Sequence, residues 1–245
     1  MKIFKEIFGR IWALWGLISF IVTFLVIFIP SMITYLIPDP KGQYIFIRIS
    51  KIWMIVWLHL VGCPLRIIGR NNFKKNTAYI VTCNHNSMLD VPISCPFIPG
   101  ANKTIAKKSF VKVPLFGWFY RKGAVLVDRK NEVSRRRSFE EMKKVLSLNM
   151  HMSVYPEGTR NRSDEPLKKF HDGAFKLAVS TGNAIIPAVI LYSKKALPIN
   201  KKFYLWPHRL EMHFLDAVPV NGQTSEQLKE KVFGIMKEYY IQHNH

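Results

Sequence analysis

Acidic residues are scarce in this chain. Sixteen Asp and Glu face 36 Lys and Arg, leaving a formal net charge of +20 over 245 residues. Self-repulsion of that size is costly unless something anionic lies nearby, whether nucleic acid, a membrane surface or acidic substrates. Cysteine is scarce too. Cys63, Cys83 and Cys95 are odd in number and form no C-x-x-C pair, which argues against a disulfide framework and for a reducing compartment. The histidines include no H-E-x-x-H and no zinc-type spacing, and His208 and His213 read as ordinary strand residues, not a metal pair. Helix-turn-helix, zinc-finger and RNA-binding aromatic signatures are lacking, which removes nucleic acid from the anionic partners. There is no internal repeat and no low-complexity tract. Charge itself is missing between Ile11 and Ile37.

That uncharged stretch is long enough to cross a bilayer, which takes about 20 apolar residues. It is too long for the apolar core of a secretory signal, and no small-residue cleavage site follows. A retained, lipid-embedded segment is expected. Lys2, Lys5 and Arg10 precede it, and Lys41, Arg48 and Lys51 follow it. Basic flanks at both ends suit a hairpin that enters and leaves from the cytoplasmic side, because a span should carry them on one side. Pro30 is expected to break the run, and Pro38-Asp39-Pro40 to make a turn. Tyr44 to Val61 reads as an interfacial helix with Trp53 and Trp57 at headgroup level. Residues 1–63 are thus assigned to hydrophobic membrane-anchoring helices, monotopic in preference to spanning, and residues 64–245 to a catalytic domain.

Beyond Pro64 short apolar runs alternate with amphipathic ones. Strands are expected at Leu65–Ile68, Ala78–Cys83, Thr104–Ala106, Ala124–Val127, Met152–Tyr155, Ile185–Leu191, Phe203–Leu205 and Leu210–Leu215. Phe139, Met142, Val145 and Leu146 recur at helical spacing, as do Leu228, Val232, Ile235 and Tyr239, with a Thr224/Gln227 capping box before the latter. The alternation predicts an α/β fold, a mixed and largely parallel sheet flanked by helices. Three apolar runs pass at once into polar residues: Asn84-His85, Asp128-Arg129 and Pro156-Glu157-Gly158-Thr159-Arg160. If those strands are parallel, the clusters meet at the carboxyl edge of the sheet, where open α/β sheets hold ligands.

Within the first cluster, His85 and Asp90 stand just over one helical turn apart. A histidine that takes a proton from a hydroxyl needs one tautomer and one orientation, and a carboxylate on its other nitrogen supplies both. Asn84 and Ser87 are candidate caps for a helix starting there. H-x-x-x-x-D alone is a weak signal. However, Asn84-His85-Asn86-Ser87-Met88-Leu89-Asp90 resembles the first motif, N-H-x-S-x-x-D, of the glycerolipid acyltransferase family. Gly123 to Arg129 is similar to its second motif, Glu157-Gly158-Thr159-Arg160 to its third, and Ala184 to Val189 to its fourth. Ala106 to Phe110 with Val113 to Gly117 resembles the basic stretch between the first two. Order and spacing agree over residues 78–191. Asn183-Ala184 stands where a proline is common, and His171 where a basic residue commonly precedes Gly173-Ala174.

The resemblance implies transfer of a fatty acyl chain from a thioester, on coenzyme A or acyl carrier protein, to the free hydroxyl of a lysophospholipid such as lysophosphatidic acid. His85 would be the base and Asp90 its partner, with no metal or cofactor required. Arg160, Arg129, Lys107 and Lys108 would be candidates for the acceptor phosphate. Glu157 would bond the glycerol or brace Arg160, Gly158 would let backbone approach the ligand, and Thr159 would belong to the same binding loop. An acyl-enzyme on Ser87 is a rival mechanism, but no G-x-S-x-G elbow supports it. Arg135 to Arg137, Lys201 and Lys202 are expected to face anionic headgroups. Two further readings compete: a lyso-aminolipid or other lyso-lipid acceptor, and a non-enzymatic binder of anionic membranes, for which His85 and Asp90 would be dispensable.

Overall fold

A computed structural model describes residues 2–244. Two helices come first, α1 (Lys2–Ile33) and α2 (Lys41–Leu60). The α/β part follows as β1 (Leu65–Ile68), β2 (Ile80–Cys83), α3 (Asp90–Ser94), β3 (Asn102–Lys107), α4 (Phe116–Lys122), β4 (Ala124–Val127), α5 (Glu132–Ser147), β5 (His151–Val154), α6 (Gly173–Thr181), β6 (Ile185–Leu191), α7 (Ser193–Ala196), β7 (Leu210–Phe214) and α8 (Ser225–His243). The seven strands form one sheet in the order β1-β7-β6-β2-β5-β3-β4. β2 to β6 are mutually parallel, β7 runs antiparallel to β6, and β1 follows β7. The sheet is therefore mixed and largely parallel, as the alternation of runs implied.

The strand order fixes which face each helix covers. From β2 to β3 to β4 the chain steps one way across the sheet, and from β4 to β5 to β6 it steps back. Right-handed crossovers then put α3 and α4 on one face and α5 and α6 on the other. The two cores show that split. Ile93 of α3 packs with Val81, Cys83, Ile186 and Ile190. Met142 of α5 and Phe175 of α6 pack with Ile80, Met152, Ile185 and Val189. Successive residues of β2 and β6 thus serve opposite cores, the period of two expected of a strand. Because both faces are covered, β6 is buried along its whole length and reads as a continuous apolar run.

Three expectations need correction. Phe203–Leu205 is not a strand. It lies in the connection from α7 to β7, where the Leu205 amide donates to the Gly9 carbonyl of α1 at 3.0 Å. Pro30 does not break the apolar run: α1 continues through it to Ile33, since a proline forfeits one helical hydrogen bond and the helix has only one more turn to run. Nor do Trp53 and Trp57 sit at headgroup level. They are 4% and 6% exposed, and their indole N–H groups donate to Thr23 Oγ1 at 2.9 Å and the Gly16 carbonyl at 3.0 Å. α2 is sandwiched between α1 and the sheet, with Phe46, Met54 and Leu58 buried.

The outer helix is different. Ile3–Leu36 is long and apolar enough to cross a membrane, and most of its length is not buried in the protein. Yet both of its ends touch the α/β part. Phe8 meets Trp206 edge-on, Phe28 stacks on Trp118, and the Tyr35 hydroxyl donates to the Trp118 carbonyl at 2.7 Å. Asp39, in the turn between α1 and α2, pairs with Lys103 at 2.9 Å and Lys122 at 3.0 Å. Hairpin and sheet share one core.

His151 shows how burial sets a titration in this fold. It opens β5 with its ring against Phe73 and Tyr79, and its Nδ1 accepts the Tyr79 amide at 3.0 Å. Burial pulls the imidazole from 6.5 down to about 4. Folding therefore favours the neutral ring. Its contribution is complete above the unfolded value and is lost as pH falls toward the folded one, with about 2 kcal/mol gone at pH 5. Denaturant titrations at pH 7 and pH 5 should show a loss of that order, and His151→Phe should flatten the difference. An unchanged pH slope in the variant would remove His151 from the account.

Candidate active site

The reversal of winding falls between two neighbouring strands. β2 leads into α3 on one face, and β5, hydrogen-bonded beside it, leads into α6 on the other. Segments that leave adjacent carboxyl ends in opposite directions open a crevice there. His85 follows β2 and Glu157 to Arg160 follow β5, so two of the three polar clusters border the same gap. Asp128 and Arg129 follow β4 on the same edge, with Lys107 ending β3 and Lys108 opening the turn after it.

His85 Nδ1 lies 2.8 Å from Asp90 Oδ2. The same oxygen accepts the amides of Asn86 at 2.6 Å and Ser87 at 2.7 Å. Three donors thus converge on one oxygen of a fully buried carboxylate, while Oδ1 has no partner among the described residues. An ionised carboxylate that accepts from Nδ1–H leaves Nε2 of a neutral ring as a free acceptor. The His85 side chain is 18% exposed, and its ring packs on Tyr155 at 4.6 Å between centroids. Beneath it the Tyr155 hydroxyl bonds Ser94, and burial pushes that phenol well up.

Neither Asn84 nor Ser87 caps α3 as expected, because the helix begins only at Asp90 with no side-chain cap. Asn84 instead bonds both backbone groups of Ile190, at 2.9 and 2.6 Å, pinning the exit of β2 to β6. The Ser87 hydroxyl donates to the Leu197 carbonyl at 3.0 Å and accepts the Leu89 amide. A hydroxyl so occupied and 1% exposed is poorly placed as a nucleophile.

Glu157 does not brace Arg160. It is 1% exposed and bonds neither Arg160 nor open solvent. One carboxylate oxygen accepts the His85 amide at 2.7 Å and the other the Lys168 amide at 3.0 Å. The Asn161 amide donates to the His85 carbonyl at 2.6 Å. Both backbone groups of His85 are therefore held by the segment after β5. Burial raises the Glu157 pKa, opposed by the His85 and Lys168 amides.

The rest of the loop is open. Gly158 has φ +71°, which favours glycine, and a Cβ there would lie 2.7 Å from the His171 ring, which would have to shift. Arg129 donates to the Gly158 carbonyl, and Lys168 Nζ to Thr159 Oγ1 at 2.8 Å. The Arg160 guanidinium, partly exposed, has no hydrogen bond or ion pair among the described residues, and the exposed Lys107 and Lys108 ammonium groups likewise make no ion pair. Asn84, Tyr155, Asn161 and His171 join the site without having been singled out for these contacts. Asn84 opens the first motif, and only adjacency to the motifs could have flagged the other three. At the far side of the sheet, His213 is spent on Tyr239 and Glu211.

A family model described as Acyltransferase matches residues 64–191. Over 196 residues the chain is 32% identical to a 1-acyl-sn-glycerol-3-phosphate acyltransferase of Cocos nucifera, covering 78% of this chain and 60% of that protein. It is 26% identical to the alpha form from Homo sapiens, over 74% of this chain and 64% of that one, and 27% identical to the Haemophilus influenzae enzyme, over 60% of each. The chain thus spans about three fifths of these curated relatives. The crystal structure of a 1-acyl-sn-glycerophosphate acyltransferase from Thermotoga maritima superposes with a TM-score of 0.80 over 97% of both chains. At 22% identity that likeness concerns the fold.

The Glu157 contacts carry a stability prediction. Glu157→Ala leaves the buried His85 and Lys168 amides without acceptors, at about 1–3 kcal/mol each. Glu157→Gln keeps one acceptor oxygen and should cost less. Melting temperatures should fall in the order wild type, Gln, Ala. An alanine variant as stable as wild type would show that water replaces the carboxylate.

Proposed function

The chain belongs to the acyltransferase family, and from that premise we propose that it moves a fatty acyl chain from a thioester to the sn-2 hydroxyl of lysophosphatidic acid, giving phosphatidic acid. The observation that carries the reading is the fixed imidazole. Asp90 occupies Nδ1 of His85, and the free Nε2 belongs to a ring at the mouth of the crevice. In this mechanism Nε2 takes the proton of the acceptor hydroxyl, and Asp90 steadies the imidazolium that forms. The alkoxide attacks the thioester carbonyl. The tetrahedral intermediate then expels the thiol of coenzyme A or acyl carrier protein, which receives the proton from Nε2. General-base assistance of this kind is worth about 10²–10⁴ in rate.

Arg160 is the leading candidate for the acceptor phosphate. It is a cation on the binding loop with no internal partner among the described residues, and its fork suits phosphate oxygens. Lys107 and Lys108 reach the same edge from β3. Arg129, bonded to the Gly158 carbonyl, and Lys168, bonded to Thr159, set the shape of the loop that presents Arg160. Glu157 acts in this scheme through the His85 backbone and not on substrate.

The hairpin, residues 1–63, is the proposed membrane anchor. A helix tied to the α/β part near both ends lies along that part, which supports a monotopic arrangement over a span. The basic flanks support the cytoplasmic leaflet as its side.

Purified protein given lysophosphatidic acid and a labelled acyl thioester should make phosphatidic acid. His85→Ala should lower kcat by about 10²–10⁴ with little change in KM for the acceptor, and equal turnover in that variant would end the mechanism. Asp90→Asn should also act mainly on kcat, since the tautomer is then unspecified. Arg160→Ala should instead raise KM for lysophosphatidic acid by about 10–100-fold, partly restored by Lys. If Arg160→Ala left lysophosphatidic acid untouched while a phosphate-free lyso-lipid reacted faster, the acceptor would be the lyso-aminolipid class.

A further inference from the structure

The segment from the end of β3 into α4 is more apolar outside than its neighbours. Phe110, Val113, Leu115 and Trp118 are 47%, 46%, 40% and 59% exposed. Leu115 adopts φ +58°, a conformation that a bulky residue rarely takes, and stays 40% exposed. The patch is also placed. β3 adjoins β5, so the segment leaves the sheet edge next to the crevice that holds His85. Phe116 and Trp118 pack on Phe24 and Phe28 of α1, so the patch continues the exposed apolar face formed by Leu25, Val26 and Ile29. Exposed Lys108, Lys112 and Arg121 border it.

From this continuity and charge we infer that residues 110–118 form a second membrane-inserting element. They dip into the same anionic leaflet as α1 and set the mouth of the crevice against the lipid surface, so that an acceptor lipid reaches His85 sideways without leaving the bilayer. The role in lipid access rests on the proposed acyl transfer; contact with the leaflet does not. An apolar rim with a basic border fits a bilayer of acidic phospholipid, in which the side chains lie among acyl chains and the cations meet headgroups.

The test uses the full chain on vesicles of phosphatidylglycerol and phosphatidylcholine. The native cysteines are all buried, so a Val113→Cys variant takes an environment-sensitive fluorophore at one site, with exposed Glu230→Cys on α8 as control. Label at 113 should shift to the blue on vesicles and be quenched by spin-labelled lipid, while label at 230 stays in water. A label at 113 that remains in water on bound protein overturns the inference. So does one shielded equally without lipid, which would assign the patch to a second copy of the chain. In kinetics, Val113→Glu with Trp118→Glu should slow acylation of vesicle-borne lysophosphatidic acid about tenfold and leave a short-chain, monomeric acceptor unaffected. Equal rates with both acceptors, unchanged from wild type, overturn the access role. Were wild type inactive on every acceptor, the proposed reaction would fail, and the fluorescence would still decide the contact.

Discussion

Everything at the candidate site depends on where the winding of the sheet reverses. The β2 crossover goes to one face and the β5 crossover to the other, so the two adjacent strands part at their carboxyl ends. A crevice opened by topology alone would be lined by loops with unpaired backbone. Here the lining is stitched across the gap. Glu157 and Asn161, from the β5 side, take the amide and the carbonyl of His85 from the β2 side, and Asn84 ties the same turn to β6. A residue whose two flanking peptide units are each held in this way has little freedom to tilt. The imidazole it carries is then aimed by Asp90 and backed by Tyr155.

This arrangement places two buried carboxylates on one histidine. Asp90 receives three N–H donors on a single oxygen and Glu157 one amide on each. Both charges are thus compensated by dipoles instead of by arginine or lysine, although the chain has cations in excess. The choice has a chemical consequence in the proposed reaction. A lysine at Asp90 would neutralise the field that the imidazolium needs, whereas fixed amide dipoles orient the carboxylate and leave that field in place. Repulsion from Asp90 adds to burial in raising the Glu157 pKa, and His85 acts the other way.

How far the sequence reveals this depends on range. β4 and β6 are legible because strands buried on both faces are apolar at every position, and the α8 capping box is local and read correctly. The pairing of His85 with Asp90 is local as well, though its geometry is a tight turn and not a helix. Phe203–Leu205 has the composition of a strand, but its burial comes from α1, nearly the whole chain away. Trp53 and Trp57 mislead because an amphipathic helix has the same period whether its apolar side meets lipid or protein. Glu157 misleads for a related reason. Its partner amide is 72 residues distant, and an acidic residue inside a binding motif looks like a ligand contact until the neighbouring strand is known.

The same question of partner identity governs the apolar surface. α2 spends its aromatic side on α1 and the sheet. α1 spends one side on α2 and leaves the other to the surroundings, and its ends are fastened to Trp206 and Trp118. A helix fastened in this way cannot stand upright in a bilayer unless the α/β part enters with it, and that part carries the basic surface. The arrangement proposed above, a helix lying in the outer part of one leaflet with the carboxyl edge of the sheet beside it, is compatible with these contacts. Under that proposal the distance between His85 and lipid would be set by packing and not by a flexible tether. In the proposed reaction a long-chain acceptor held by the bilayer and a thioester arriving from water would then meet at one edge, which is the geometric requirement of transferring an acyl chain between them.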